Sequence, residues 1–548
     1  MRLTRSELSG ADLVWLVDVQ IRGKVYRFSS MQAEVSDGSR VLQYSGALAP
    51  IVHPDEAAPW DSALAERSIE ISAIFSGEGF AALASTDHDL GDSTCQISLW
   101  RVGSDYSDRE VILDGQIDEP VYSSAQDPVS FSVRESALLD RGRVLSPLAT
   151  VTEETWSSGT YRADPAIIGE PYPLPFGRPG ALIGGLTEHH GSPALLVQID
   201  AATQDNSLLP ATVLIGDGEL SCVGSTVLLQ NKTPDPETSA TVTATAMTDD
   251  LGRVVTVASV SVGTLAITEG DELWISFRTA GSGGITAPTG GLMTGAGDVI
   301  SWLLQRSSLN IDTLQVLGSA GLLNGYELDF FRNVDQGTWQ AALDVIAELP
   351  ASFALGPRGL QVIHWRLDAI ASDAIGHLNT SKEAGDLAGS ISRTSRDQVS
   401  NVLTIDYALD PQSSIHRQRL VYGPDQWIEP DAGYQQHALC SASYTRYRDA
   451  LGRPLIAPAI SSSLIQDAGT AAAVLHSEAL RRCGTHTEGR FEGLSQSWQY
   501  LNPGDVILVS HSPVGWSEQV CLVTSVDRAP GSTAVAVLSP NHWIRDAL

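Results

Sequence analysis

Polar and apolar residues alternate through the first part of the chain. Residues 13–21 predict a strand, Arg22-Gly23-Lys24 a turn, and Val25-Tyr26-Arg27-Phe28 the returning arm of a β-hairpin. The same period of two recurs at 41–44, 68–75, 96–102, 110–113 and 129–133. Apolar side chains at every second position place one face of each strand in a core and leave the other polar, as in a small antiparallel barrel or sandwich. One β unit is therefore expected over residues 1–150.

The pattern then changes. Residues 151–190 centre on Glu170-Pro171-Tyr172-Pro173-Leu174-Pro175-Phe176-Gly177-Arg178-Pro179, which can form neither a regular helix nor a central strand and predicts a shaped connector. Strand patterns return at 194–199, 211–215, 241–246, 253–260 and 273–277, with Asp249-Asp250-Leu251-Gly252 as a turn, giving an inserted β domain over 191–278. A Gly-rich linker is expected at 279–297. A phosphate-cradling loop there is discarded, because the Gly-Lys-Ser/Thr ending is missing.

Helical spacing begins next. Asp298 is placed to cap a helix carrying Val299, Ile300, Trp302, Leu303 and Leu304, and a second helix is expected after Asp335, ending at Pro350. Strands at 352–355 and 360–365, joined through Gly356-Pro357-Arg358-Gly359, complete a compact α/β domain over 298–390. From 391 to 548 the chain returns to β structure, interrupted by one helix at 468–483 that Asp467 caps and Gly484 stops. Leu501-Asn502-Pro503-Gly504-Asp505 is a turn feeding a strand at 506–509, which pairs with 520–526, and a strand at 534–538 closes the set. The fold class is thus mainly β with an α/β part: barrel or sandwich domains at both ends, an inserted β domain and a compact α/β domain.

Composition narrows the function. A chain of 548 residues, 43% hydrophobic and 18% charged, is globular and long enough for three or four domains of roughly 150 residues each. Its net charge of -31 argues against a protein that grips nucleic-acid phosphates. Only three lysines occur, Lys24, Lys232 and Lys382, so the basic side is almost all Arg. The acidity fits a solvated surface or a salty habitat. If the chain lines a passage for DNA, the same charge gives a wall to which phosphates do not adhere.

The five cysteines, Cys95, Cys222, Cys440, Cys483 and Cys521, are dispersed and lack metal-ligand spacing, so buried free thiols are expected. The amino-terminal apolar stretch is broken by Asp18 and reads as neither a signal peptide nor a membrane span, and no membrane segment is expected elsewhere.

Catalytic patterns are missing from the sequence: there is no GxSxG, HExxH, EF-hand loop or Walker pattern. His189 and His190 are adjacent, and neighbours on a strand point to opposite faces. Thr86-Asp87-His88-Asp89 fits a polar loop better than a cation site. No catalytic residue, metal or cofactor is expected. Trp15, Trp100, Trp302, Trp339 and Trp365 sit at core periodicity, whereas Trp427, Trp516 and Trp543 lie in irregular stretches and are the candidates for contact with a partner.

This layout resembles the hub proteins of tailed-bacteriophage baseplates and siphophage tail tips, a family shared with gene transfer agents and contractile injection machines. The likeness is carried by the opening hairpin, by Asp114-Gly115-Gln116-Ile117-Asp118-Glu119-Pro120 with 129–134, and by the stretch from Asp397-Gln398-Val399-Ser400-Asn401 through the 468–483 helix to Leu501-Asn502-Pro503-Gly504-Asp505-Val506. Residues 191–278 fall outside it.

The resemblance implies a structural virion protein, not an enzyme, assembled in the host cytoplasm and located at the tail tip of the virion. It implies a homotrimer whose two barrel-like domains per chain make a pseudo-sixfold ring. The tail tube or a distal tail protein lies above, a fibre or spike below and a tape measure protein alongside, and DNA passes through without specific binding. Two other classes stand beside it: a carbohydrate-binding or polysaccharide-hydrolysing tail protein, with Trp427 and Trp516 as the places to look, and a hexameric distal tail adaptor.

Overall fold

The structure, a computed structural model, describes residues 13–49, 53–56, 68–75, 78–84, 93–118, 126–135, 150–154, 174–177, 293–305, 313–332, 337–356, 359–383, 389–410, 414–427 and 433–540, the strands between 192 and 276, and scattered positions between these runs. The amino-terminal unit holds β1 (Leu13–Ile21), β2 (Lys24–Ser29), β3 (Ala33–Ser36), β4 (Val41–Tyr44), β5 (His53–Glu56), β6 (Ser68–Ala73), helix α1 (Glu78–Leu83), β7 (Thr94–Arg101), β8 (Glu110–Ile117) and β9 (Val129–Glu135). The hairpin between β1 and β2 turns on two residues with positive φ, Arg22 at 53° and Gly23 at 75°, the type I′ geometry that matches strand twist.

Six of these strands run in the order β2-β1-β7-β8-β9-β6, and the segment 45–49 joins the two outer ones. On one side Ser29 N donates to Ser45 O (2.8 Å) and Ser45 N to Arg27 O (3.1 Å). On the other Ala49 N donates to Ser72 O (2.8 Å) and Ile74 N to Ala47 O (3.2 Å). The sheet is thereby closed into a barrel, and its interior holds Trp15, Val17, Val19, Ile69, Ile71, Ile97, Phe131 and Val133.

Alternation predicted a polar outer face, and β1 departs from it. Val14 and Leu16 point away from the barrel interior yet are fully buried, because the β3–β4 hairpin lays Val35, Leu42 and Tyr44 over them beside Trp100. A strand covered on both faces loses the period of two and becomes a near-continuous apolar run.

Within the expected connector, Leu174–Phe176 forms β10, a strand of a two-stranded sheet. Leu174 and Phe176 are buried, and Phe176 stacks on Phe330 with ring centroids 4.9 Å apart. Beyond it, β11 (Ser192–Pro193), β12 (Leu195–Gln198), β13 (Ala211–Asp217), β14 (Val223–Gln230), β15 (Thr238–Thr248), β16 (Val254–Ser261) and β17 (Glu272–Ser276) make a sheet of their own, ordered β11-β17-β14-β15-β16-β13-β12. Every pairing in it is antiparallel. The Gly-rich stretch 281–291 lies outside the described residues.

Helix α2 (Ala296–Gln305) starts two residues before the expected cap. Asp298 sits inside its first turn, and the acceptor for Asp298 N is the Asn324 side chain at 2.9 Å, a residue 26 positions away. A remote side chain has replaced the local cap. Helix α3 (Thr313–Leu323), which periodicity did not reveal, is followed by β18 (Phe330–Arg332), paired with β10. Helix α4 (Gly337–Ala347) and the hairpin β19 (Ala351–Gly356) with β20 (Gly359–His364) follow as expected.

Two short strands, β21 (Gly376–Asn379) and β22 (Gly389–Arg393), belong to the last sheet of the chain. Between them and that sheet lie β23 (Leu403–Asp410), β24 (Ile415–Gly423), β25 (Tyr434–Gln436), helix α5 (Ala438–Arg446), β26 (Ile460–Ser461) and helix α6 (Ala468–Arg482). One helix was expected after 391, and α5 is a second. It is short, and its apolar positions mark no clear stripe. Asp467 caps α6 as anticipated, accepting from Gly469 N (2.6 Å) and Thr470 N (3.0 Å).

The closing strands are β27 (Thr487–Leu494), β28 (Val506–His511), β29 (Trp516–Ala529) and β30 (Ser532–Ser539), in the order β21-β28-β29-β30-β27-β22. Strands β28 and β27 are three steps apart, roughly 14 Å in a flat sheet. The rings of His511 on β28 and Phe491 on β27 nevertheless meet at 5.4 Å, so the sheet is rolled around its own core of Leu378, Phe491, Trp498, Ile507, Val523 and Val537. Its outer face, through Val506, Val520 and Leu522, joins a second core that runs from Leu174 and α2 to α6. Packing therefore crosses the boundary expected at 390, because strands β23–β24 and helix α6 share apolar contacts with α2–α4.

Candidate functional site: the joint between the two β units

Strand β29 is fourteen residues long, and β28 pairs only with its first half, from Trp516 to Leu522. Strand β30 occupies the opposite edge. The remainder of the edge that β28 leaves is taken by β5, which comes from the amino-terminal unit: Ser525 faces Glu56, Val526 faces Asp55, Asp527 faces Pro54 and Arg528 faces His53. An open edge on one unit is satisfied by a strand from the other.

Tyr500 is a second link. It packs against both the barrel core and the rolled-sheet core. Gly376 makes this possible, since a Cβ there would collide with the Tyr500 hydroxyl. Trp498, fully buried beneath it, donates its indole N–H to Glu383 Oε1 at 3.0 Å and stacks with Tyr500 at 6.1 Å. Sequence reasoning passed over Tyr500 and Trp498 because the irregular stretch around them has no period to place them on a face.

Several residues within the stretches that carried the resemblance act as structural fasteners, one set of them beside this joint. Arg528 is 3% exposed, and its guanidinium donates to Gln499 O (2.9 Å), Leu501 O (2.5 Å) and Asn502 Oδ1 (3.1 Å), holding the 499–502 stretch. The turn is completed by Asn502 N donating to Asp505 Oδ2 (2.7 Å) and by two backbone bonds with Val523. Asn401, fully buried, works similarly: its side-chain N–H donates to Tyr447 O (2.7 Å) and its Oδ1 accepts from Leu455 N (2.8 Å). At the other end, Gly115 passes so close to β9 that any Cβ would clash with Arg134 O, and Asp118 accepts from Arg134 Nε at 2.9 Å.

On the outer face of β1, under the β3–β4 hairpin, Asp18 accepts from two hydroxyls and pairs with Arg27. The hydroxyls of Tyr44 (2.9 Å) and Tyr106 (2.8 Å) donate to it, and Arg27 Nε lies 3.2 Å away. Burial first, and then the Asp18 charge, push both phenols above the usual tyrosine range. This carboxylate ties β1 to the β3–β4 hairpin and to Tyr106.

Of the candidate contact residues, Trp427 is half-buried in a tight turn: its backbone N–H donates to Pro424 O at 3.1 Å, and its carbonyl accepts from the Tyr434 hydroxyl. Trp516 is half-buried at the start of β29 and packs on the rolled-sheet core. The two belong to different parts of the fold, and Trp543 lies outside the described residues, as do Thr86–Asp89 and His189–His190. Among the described residues, no three His, Cys, Asp or Glu side chains converge on a point that could hold a metal ion, and no helix is long and apolar enough to cross a membrane.

Solved structures give the comparison. The chain is similar to tail proteins. A tail protein from Neisseria meningitidis MC58 aligns with a TM-score of 0.36 and 11% identity, over 97% of this chain and 99% of that one. A 43 kDa tail protein of prophage MuSo2 from Shewanella oneidensis aligns with a TM-score of 0.36 and 9% identity over the same shares. A chain of the native gene transfer agent virion aligns at 0.20 and 13%, over 50% of this chain and 82% of that one. No protein-family model and no curated protein matches.

Proposed function

We propose that this chain is a structural protein of a phage tail tip or baseplate and serves there as the hub, a role that needs no catalytic group. The observation that supports this most directly is the β5–β29 pairing, which binds two β-rich units of one chain edge to edge. Three copies of such a chain present six β units in a ring and can match a sixfold tail tube or distal tail protein on one side and a threefold fibre or spike on the other. A tape measure protein and DNA would occupy the central passage, and a net charge of -31 suits a wall that DNA must slide along. Head-to-tail contacts between copies close the ring.

Light scattering on the purified chain, with negative-stain class averages of the same sample, tests the reading. A trimer with a central opening is expected. A hexamer would instead identify a distal adaptor, and a monomer that binds host polysaccharide would identify a carbohydrate-recognising tail protein.

A further inference from the structure

Helix α5 and the end of helix α6 bring two cysteines together that are 43 residues apart in the sequence. Cys440 Sγ and Cys483 Sγ are separated by 3.8 Å, both side chains are fully buried, and one thiol donates a hydrogen bond to the other. The remaining described cysteines, Cys95 and Cys521, lie in the barrel core and the rolled-sheet core respectively. On the α5 side, the pair adjoins His437, whose ring stacks on Tyr422 at 4.5 Å and whose Nε2 is 3.3 Å from His476 Nδ1.

We propose that Cys440 and Cys483 are a disulfide-forming pair that stays as thiols under reducing conditions and closes when the protein meets peroxide. This goes beyond the hub reading and does not rest on it. The gap between sulfurs needs to shrink from 3.8 Å to about 2.05 Å. Zinc does not fit the same residues, since among the described residues no third ligand converges with the two sulfurs.

The two thiols are electronically unequal, which sets the order of events. The contact with Cys483, helped by the neighbouring His437 and opposed by burial, holds the Cys440 thiol below the ordinary thiol range, whereas Cys483 is pushed up. Cys440, the sulfur that His437 adjoins, takes the part of the nucleophile. Once local opening of the α5–α6 contact admits hydrogen peroxide to the buried pair, the Cys440 thiolate attacks one of its oxygens, the O–O bond breaks, and the departing hydroxide takes up a proton as water, leaving a sulfenic acid on Cys440. The Cys483 sulfur then attacks the Cys440 sulfur, the S–O bond breaks, and hydroxide leaves with the Cys483 proton as a second water. Two thiols and one peroxide become one disulfide and two waters.

The product staples α5 to α6 and, through the shared core, to strands β23 and β24. It closes a chain loop of moderate length, so its effect falls mainly on the unfolded state.

The full chain, purified under reductant and then treated with a small excess of hydrogen peroxide, should yield on non-reducing digestion a peptide pair joined through Cys440 and Cys483, absent after reduction. The oxidised chain should also unfold at a higher urea concentration than the reduced chain, and C440S and C483S should each abolish that shift while C521S leaves it intact. Recovery of Cys440 and Cys483 in separate peptides, as free thiols or higher sulfur oxides, overturns the proposal. So does linkage spread indifferently over Cys95 and Cys521. The peptide map of the unmutated chain decides the matter even where a serine variant fails to fold.

Discussion

Gly504 stands against Ile363 with no room for a side chain: a Cβ on Gly504 would lie 2.6 Å from Ile363 Cγ2. The glycine also has φ of 87°, a conformation that other residues adopt only at a cost. This contact seats the turn before β28 on the β20 strand of the α/β part. Gly504→Ala is expected to destabilise the chain by about 2–4 kcal/mol, combining steric overlap with backbone strain. In a double-mutant cycle by urea denaturation, Ile363→Ala should remove the steric share and leave the strain. Full additivity of the two substitutions would show that they do not touch.

Arg528 gives a second prediction. Its guanidinium serves two carbonyls and one side-chain oxygen of the 499–502 stretch from a buried position. Arg528→Met should cost about 2–4 kcal/mol, because acceptors are left without donors while a buried charge is removed. Arg528→Lys should recover only part, since one ammonium cannot reproduce the planar fork. Denaturation midpoints of the three proteins provide the check.

Acid should weaken the fold through its histidines. Burial lowers His364 to about 4 and moves His476 and His486 in the same direction. Each stays neutral in the folded chain while the unfolded chain takes up protons, so stability is lost as pH falls from about 6.5 toward 4. His364 alone accounts for roughly 2–3 kcal/mol across that window. Glu348 acts oppositely: burial raises its carboxyl, so its contribution is present at low pH and lost as pH rises through the folded value. Urea titrations between pH 4 and 7 should show a slope that His364→Gln reduces; an unchanged slope would remove His364 from this account.

Alkali should act at the barrel. With both phenols held above their ordinary range, Tyr44 and Tyr106 remain protonated after surface tyrosines have ionised, and their contribution is lost as pH climbs beyond 10. Ultraviolet titration should therefore show a delayed class of tyrosines that ionises with barrel unfolding. Tyr44→Phe should shrink that class and cost about 1 kcal/mol, the ordinary worth of one hydrogen bond.

Much of the fold was legible along the chain. The hairpin at Leu13–Phe28, the strands at 506–509, 520–526 and 534–538, and the Asp467 cap all follow from local chemistry: a period of two, a turn that needs positive φ, a carboxylate facing free N–H groups. The mainly β class with an α/β part came from the same signals. Trp15, Trp100 and Trp365 were correctly placed in cores for the same reason.

What the tertiary structure alone decided concerns partners distant in sequence. That Val14 and Leu16 are buried on the outer side of the barrel depends on the β3–β4 hairpin folding back over them, and nothing local encodes it. The cap of α2 comes from Asn324, the far edge of β29 is filled by β5, and Cys440 finds Cys483. Local sequence determines which dihedral angles and which faces each segment favours, because those energies involve neighbours a few residues away. Which edge meets which edge is set by long-range packing and hydrogen-bond satisfaction, whose partners become neighbours only when the whole chain is folded.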